Sequence, residues 1–527
     1  MKQNQLMEMH GMRLLKKGKK SLSSILISRT GLITLLLLVQ FGMLFCFFAK
    51  FEQWIPHVYG LSAVLAAGMV IYLANCRMDS SVRLSWMALI MALPVFGTLF
   101  FLYSRLDLGH RMLKDRLSRI FSDSRDALRQ DPKVRAEFAA EHPQGAALAE
   151  YLHRCGGYPV WKNTEVTYFP SGEAKFQRLI YELEQAEKFI FLEYFIVEEG
   201  VMWGEVLSIL ARKARQGVEV RLMYDGTCEF ALLPKSYPSR LEPLGIQCKV
   251  FSPVTPLVST HYNYRDHRKI AVIDGHTAFT GGINLADEYI NLKERFGHWK
   301  DTAIMLKGDA VRTFTLLFLQ MWGIDRQTME YEKFLRYPMK NPAHPSGFVI
   351  PYGDSPLDDE KVGETVYMDL LNRARRYVHI MTPYLILGSE LENCICYAAK
   401  RGVDVRLILP GIPDKKIPYT LAKTHFRALL QAGVKIYLYT PGFIHAKSFV
   451  CDDEEAVVGT INLDYRSLYH HFECAAYLWK NRAVADIERD FLQTQKKCSR
   501  VTRESLRQEP LLTRAGGCLL KLLAPLL

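Results

Sequence analysis

One ordered series of segments occurs twice in this chain, and no other feature constrains its fold as tightly. AEKFIFLEYFI at 186–196 is followed by RQGVEVRLMYD at 215–225 and LGIQCKVF at 244–251. ARRYVHIMTPYLI at 374–386, KRGVDVRLILP at 400–410 and AGVKIYLY at 432–439 then repeat the order. Each series ends in the same polar pattern, His267-x-Lys269-x4-Asp274 and His445-x-Lys447-x4-Asp452, followed seven residues past the Asp by Gly-(Gly/Thr)-x-Asn. One such match arises by accident; two with a shared tail and shared surroundings mark a duplication.

The repeated segments predict an α/β fold. Short apolar runs read as strands, and stretches such as Val206 to Arg215, with apolar residues at 3.6 spacing, read as helices between them. Strands alternating with helices argue for a sheet covered by helices on both faces, once per half. The expected halves are 160–337 and 357–510, joined by a linker at 338–356 that is rich in Pro and Gly.

Two histidines, two lysines and two asparagines are what a metal-free phosphoryl-transfer site needs. One imidazole attacks phosphorus, the other gives and takes the proton of an alcohol, and ammonium and amide groups hold the equatorial oxygens. Along a strand, residues two apart share a face, so His267 with Lys269 and His445 with Lys447 point the same way. Lys269, Lys447, Asn284 and Asn462 are the candidate phosphate binders, and Gly281, Gly282, Gly459 and Thr460 are small enough to let backbone approach a phosphate. Asp274 and Asp452 belong to the motif, but their odd parity relative to the His places them in turns, as structural residues first. No metal or other cofactor is expected, since no CxxC pair or histidine-rich cluster suggests zinc.

With its two H-x-K-x4-D motifs and their Gly and Asn tails, the chain resembles the phospholipase D superfamily over about three quarters of its length. The membrane-bound cardiolipin synthases of that superfamily resemble it most, through the hydrophobic N-terminus, SWMALIMALPVFGTLFFLYSR at 85–105, GTINLDYRS at 459–467 and the apolar ending LLAPLL. The resemblance implies an α-β-α sandwich per half, a pseudo-twofold axis bringing the motifs together, and a phosphohistidine intermediate. His267 is the expected nucleophile and His445 the acid/base, although near-symmetry leaves the reverse open. It also suggests Asp301 and Glu473 as the carboxylates that orient the imidazoles. The implied reaction is phosphatidyl transfer between two phosphatidylglycerol molecules, giving cardiolipin and glycerol. The alternatives are a hydrolytic phospholipase D, or transfer to another lipid acceptor. Glu193 is a weaker site candidate, Arg466 a candidate for steering an anionic headgroup, and His261, His298, His470 and His471 read as surface or core groups.

The formal net charge is +12, which suits an anionic partner. The expected partner is a membrane rather than nucleic acid, because apolar runs cluster near the N-terminus, and the resemblance implies phosphatidylglycerol as its lipid. Within a membrane region at 31–104, the runs 31–49 and 58–76 are uncharged and long enough to span, and 84–103 is apolar but carries Pro94 and Gly97. Residues 1–30 carry seven basic residues against one acid, and 105–119 five against two, so both flanks read as cytoplasmic. Two spans plus a re-entrant or interfacial third run satisfy this, with the catalytic part cytoplasmic; three full spans with it outside is the alternative. The region 105–159 reads as a basic connector, and the stretch 105–119 within it carries an apolar stripe at Leu106, Met112, Leu113 and Leu117 that lies on the membrane or in solvent. An apolar tail at 511–527 completes the chain.

Overall fold

The computed structural model describes residues 42, 55–76, 78–105, 108–253, 264–325, 330–337, 342–358, 360–507 and 510–524. The chain divides into two units, 1–112 with 254–262 and 518–527, and 113–253 with 263–517.

In the first unit the helices Ile55–Asn75, Ser80–Ala92 and Pro94–Arg105 pack around Leu73, Trp86, Ile90 and Phe101. Asp79 starts the second helix by accepting from the amides of Ser81 and Val82. Pro94 ends it and opens the third, because a proline cannot donate within a helix but is suited to its first turn. The apolar run 84–103 is thus bent into two helices. They approach so closely that a Cβ on Gly97 would lie 2.9 Å from the Cα of Ile90. Large apolar side chains elsewhere on these helices are exposed, including Leu61, Val64, Ile71, Leu84, Met91 and Leu99. Among the described residues no helix is long and apolar enough to cross a membrane. The expected span 58–76 falls on the helix Ile55–Asn75, and 31–49 lies outside the described residues apart from residue 42.

The second unit carries the duplication. Its first half contains β1 (Thr164–Phe169), β2 (Phe189–Tyr194), β3 (Glu219–Asp225), β4 (Ile246–Phe251), β5 (Arg265–Asp266), β6 (Lys269–Ile273), β7 (Thr277–Gly281), β8 (His298–Lys300) and β9 (Ala303–Gly308). The second half contains β10 (Phe348–Asp354), β11 (Tyr377–Met381), β12 (Asp404–Pro410), β13 (Lys435–Tyr439), β14 (Gly442–Ile444), β15 (Ser448–Cys451), β16 (Glu455–Gly459), β17 (His471–Trp479) and β18 (Cys498–Arg500). The first sheet runs β1-β9-β7-β6-β2-β3-β4 and the second β10-β17-β16-β15-β11-β12-β13, with β18 added at its edge. Position for position the two orders are the same. In each sheet three strands are parallel, β2-β3-β4 and β11-β12-β13, because helices connect them.

Strand parity assigns the layers. In β2, Ile190, Leu192 and Tyr194 face an outer core shared with Val206 and Leu210 of the helix Val201–Arg215. Phe189 and Phe191 face a core between the halves, where they meet Phe318, and where Val450, Val458 and Ala476 of the second sheet also pack. Phe191 stacks on Phe318 at 4.6 Å, and full burial of each such ring contributes about 1.5–3 kcal/mol. The two sheets therefore share one central core, with an outer helical layer on each side.

Two expectations about connecting segments need correction. Phe348–Asp354, read as linker, is β10, fully buried and paired with β17 from Phe348↔Trp479 to Asp354↔Glu473. Pro351 and Gly353 suggested a loop, but β10 is an edge strand, where a proline costs no ladder bond on its open side. The connector 105–159 is not merely a surface segment. Leu117 is fully buried in the central core, and Phe138, Leu148 and Leu152 pack with Phe348 and Ile350 in the second half's core.

Candidate active site

The motif histidines meet at the seam between the halves because the segment before each motif crosses over. β5 pairs in parallel with the start of β17, and β14 with β8. The His267 amide donates to Phe472 O at 3.0 Å and the His445 amide to Lys300 O at 2.7 Å. Each imidazole then bonds the carboxylate of the other half. His267 Nδ1 lies 2.9 Å from Glu473 Oε1 and 3.0 Å from Oε2, and His445 Nδ1 lies 2.7 Å from Asp301 Oδ2. Asp301 and Glu473 hold the same place in the repeat. Each precedes by two residues the alanine, Ala303 or Ala475, that pairs with Gly281 or Gly459.

Both carboxylates are fully buried, and a buried charge persists only where other groups compensate it. Glu473 also accepts from Ser467 Oγ at 2.5 Å and from Thr460 Oγ1. Burial alone would raise its pKa, but His267 and His471 outweigh it and hold the group well below the usual carboxylate range. Asp301 accepts from the Thr302 amide at 2.7 Å. Burial pushes Asp301 up to about 7, against the pull of Lys447. Burial also drives both imidazoles well below the usual histidine range, helped at His445 by Lys447 and Lys269. A neutral His267 beside an ionised Glu473 holds its proton on Nδ1, leaving the Nε2 lone pair free.

Lys269 Nζ donates to His267 O at 2.5 Å, and Lys447 Nζ to His445 O. Lys447 Nζ also lies 2.8 Å from His445 Nδ1. Burial lowers Lys269 to about 8 and Lys447 to about 7, and each ammonium is drawn by both Glu473 and Asp301, so the two motif sets act within one electrostatic field. Asn284 Oδ1 accepts from the Ile196 amide at 3.0 Å and its Nδ2 donates to Tyr289 OH at 2.7 Å, leaving one amide hydrogen. Asn462 Oδ1 is buried without a partner.

Asp274 and Asp452 stand at the far ends of β6 and β15 from the histidines. Both are left-handed, with φ of 52° and 55°. Asp274 accepts from the amides of Glu187, Lys188 and Phe189, and Asp452 from those of Arg375, Arg376 and Tyr377. Each fixes the entry of the neighbouring strand, β2 or β11. Gly282 makes room for the other half-site: a Cβ there would lie 2.0 Å from Asp301 Oδ1. Thr460, its counterpart, supplies the hydroxyl to Glu473. Glu193 lies in the central core, 2.5 Å from Arg268 Nη2, and so anchors the motif residue between His267 and Lys269.

Sequence reasoning passed over Ser467, Phe195 and Tyr289, and read His471 as a surface or core group. His471 packs on His267 with ring centroids 5.3 Å apart, Phe195 on His267 at 4.9 Å, and Tyr289 on His445 at 5.5 Å. The signal for His471 was present in HFE, where strand parity puts it on the face of Glu473. Of the other lone histidines, His298 accepts from or donates to Tyr439 OH at 3.1 Å and His470 packs near Tyr264, while His261 lies outside the described residues. Arg466 is exposed beside Asp464 and His470. Among the described residues, His267, His471 and Glu473 are the one group whose ligand atoms, within 4.8 Å of one another, suit a metal ion. Glu473 already has three donors there.

A family profile described as cardiolipin synthase, PLD-like domain, matches residues 179–322 and 367–495. An uncharacterized protein of Streptococcus mutans serotype c is 56% identical over 87% of this chain and 100% of its own length. A cardiolipin synthase of Geobacillus kaustophilus is 33% identical over 90% of this chain and 95% of its own. Among solved structures, phosphatidylserine synthase of Haemophilus influenzae superposes with a TM-score of 0.56 at 16% identity, covering 72% of this chain and 99% of that one, a likeness of fold.

Proposed function

This chain belongs to the cardiolipin synthase family with PLD-like domains, and on that premise we propose that it transfers a phosphatidyl group between two phosphatidylglycerol molecules. The observation that carries the reading is the pair of imidazole–carboxylate contacts exchanged between the halves. His267 Nε2 attacks phosphorus, a P–N bond forms, and the P–O bond to glycerol breaks as neutral His445 gives the leaving oxygen its Nε2 proton while its Nδ1 takes the proton held by Asp301. His445 then takes the proton from a hydroxyl of the second phosphatidylglycerol, whose oxygen displaces His267 to give cardiolipin. Lys269, Lys447, Asn284 and Asn462 hold the phosphoryl oxygens as charge builds on them.

His267 is the better nucleophile because Glu473 is ionised and multiply bonded, which stabilises the imidazolium formed on attack. His445 suits proton transfer because Asp301, at about 7, changes charge near the working pH. The exposed apolar side chains of the three N-terminal helices and the net positive charge support anchoring at an anionic bilayer, and the basic flanks at 1–30 and 105–119 support a cytoplasmic site.

The test is to incubate the full chain in phosphatidylglycerol vesicles, with labelled headgroup and a divalent-metal chelator, and to identify products. Cardiolipin with free glycerol is expected. Phosphatidic acid as the only lipid product would replace transfer by hydrolysis.

A further inference from the structure

The duplication puts Trp299 and His471 at matching positions, each two residues before its half's carboxylate. Each ring lies against the histidine which that carboxylate serves, Trp299 5.4 Å from His445 and His471 5.3 Å from His267. An indole offers one N–H, whereas an imidazole offers both a donor and an acceptor. His471 is only 9% exposed, and both its ring nitrogens are buried without a hydrogen-bond partner. A buried polar ring left unbonded is costly, so its retention calls for a partner during turnover. Its Nδ1 stands 3.7 Å from Glu473 Oε1, within ion-pair reach and ~0.5–1 Å short of becoming a hydrogen bond.

We propose that His471 is a positioning residue, whose Nδ1–H closes on Glu473 and holds that carboxylate against the Nδ1–H of His267 through formation of the phosphohistidine. His471 transfers no proton to substrate; the P–N bond still forms at His267 Nε2 and the leaving oxygen still takes its proton from His445. The imidazolium created on His267 pulls on Glu473, and a further donor keeps the carboxylate oriented as that charge develops. The half containing Asp301 has at this position the indole of Trp299, whose one N–H is also buried without a hydrogen-bond partner and which carries no nitrogen at the δ1 position, so the repeat position separates the two histidines' roles.

The inference rests on the transfer reaction proposed above, and its test keeps the two apart. His471→Phe retains a flat ring without nitrogens, and His471→Asn puts an amide nitrogen where Nδ1 stands. Steady-state conversion to cardiolipin of phosphatidylglycerol labelled at phosphorus is measured in vesicles, with rapid-quench trapping of that label on His267, alongside thermal midpoints. His471→Phe is expected to lower kcat and the trapping rate ~10- to 100-fold with KM within about twofold. His471→Asn restores both to within about fivefold of the parent, at unchanged thermal midpoints. Parental kcat in the Phe variant, equal impairment of both variants, or an effect confined to KM would overturn the role of His471. Absence of cardiolipin from the parent protein overturns the functional reading instead.

Discussion

The two halves share their strand order and their motif, yet they place unlike carboxylates in unlike surroundings. Glu473 gathers His267, Thr460 and Ser467 and stays ionised; Asp301 has His445 and one backbone amide, and sits near neutrality. Duplication therefore supplied two copies of one scaffold, and a few positions beside the carboxylates, Gly282 against Thr460 and Trp299 against His471, made them different. Symmetry of fold with asymmetry of charge is what a two-step transfer requires, since one imidazole must hold phosphorus while the other moves a proton.

The sharpest break of that comparison is removal of either histidine. His267→Ala and His445→Ala should each lower cardiolipin formation by ~10³-fold or more, but differ in trapping. Label should accumulate on His267 in the His445 variant if attack outlives the lost acid, and none should appear in the His267 variant. Label on His445 would invert the assignment.

Next come the carboxylates. Glu473→Gln should lower kcat by ~10²-fold and leave the shape of the pH profile. Asp301→Asn should cost less and remove an acidic limb near pH 7, where loss of the Asp301 charge weakens His445 as a base. Thermal stability should separate them by sign. Between pH ~4 and ~7 the folded protein keeps a proton on Asp301 that the unfolded chain has released, so this contribution falls as pH rises and is flat above about 7. Glu473 acts oppositely; its contribution is present above pH ~4.5 and is lost as pH falls. Asp301→Asn should thus gain more, relative to the parent, at pH 8 than at pH 5, while Glu473→Gln should lose at pH 7. Parallel melting curves for the two variants would erase the asymmetry.

The smallest effects on turnover should come from the motif aspartates. Asp274→Ala removes the acceptor of three amides and should cost about 2–4 kcal/mol in denaturant unfolding, with activity per folded molecule reduced only a few-fold. Asp452→Ala should cost less, because Asp452 is more exposed. Loss of turnover comparable to the histidine variants, at intact stability, would return these aspartates to the chemistry.

Much of this was legible along the chain. The repeated segments marked strands and helices common to the two halves, since local apolar patterning selects them, while the order in which the strands pair came from the fold. Parity suggested that Asp274 and Asp452 sit in turns. The N-terminal helices illustrate the opposite: hydropathy marked an apolar run at 84–103, but only packing showed it bent at Pro94 around a close contact at Gly97. The linker was misjudged because Pro351 and Gly353 carry a loop signature that an edge strand tolerates.

The sequence by itself determined the duplication, the reactive residue types and their spacing, because those follow from local pattern. Only the tertiary structure decided which carboxylate serves which histidine. His267 and Glu473 are 206 residues apart and His445 and Asp301 144, and the pairing depends on β5 and β14 crossing to the opposite half. The charge states follow from the same packing, since burial and the count of donors around Glu473 and Asp301 exist only once the seam is closed.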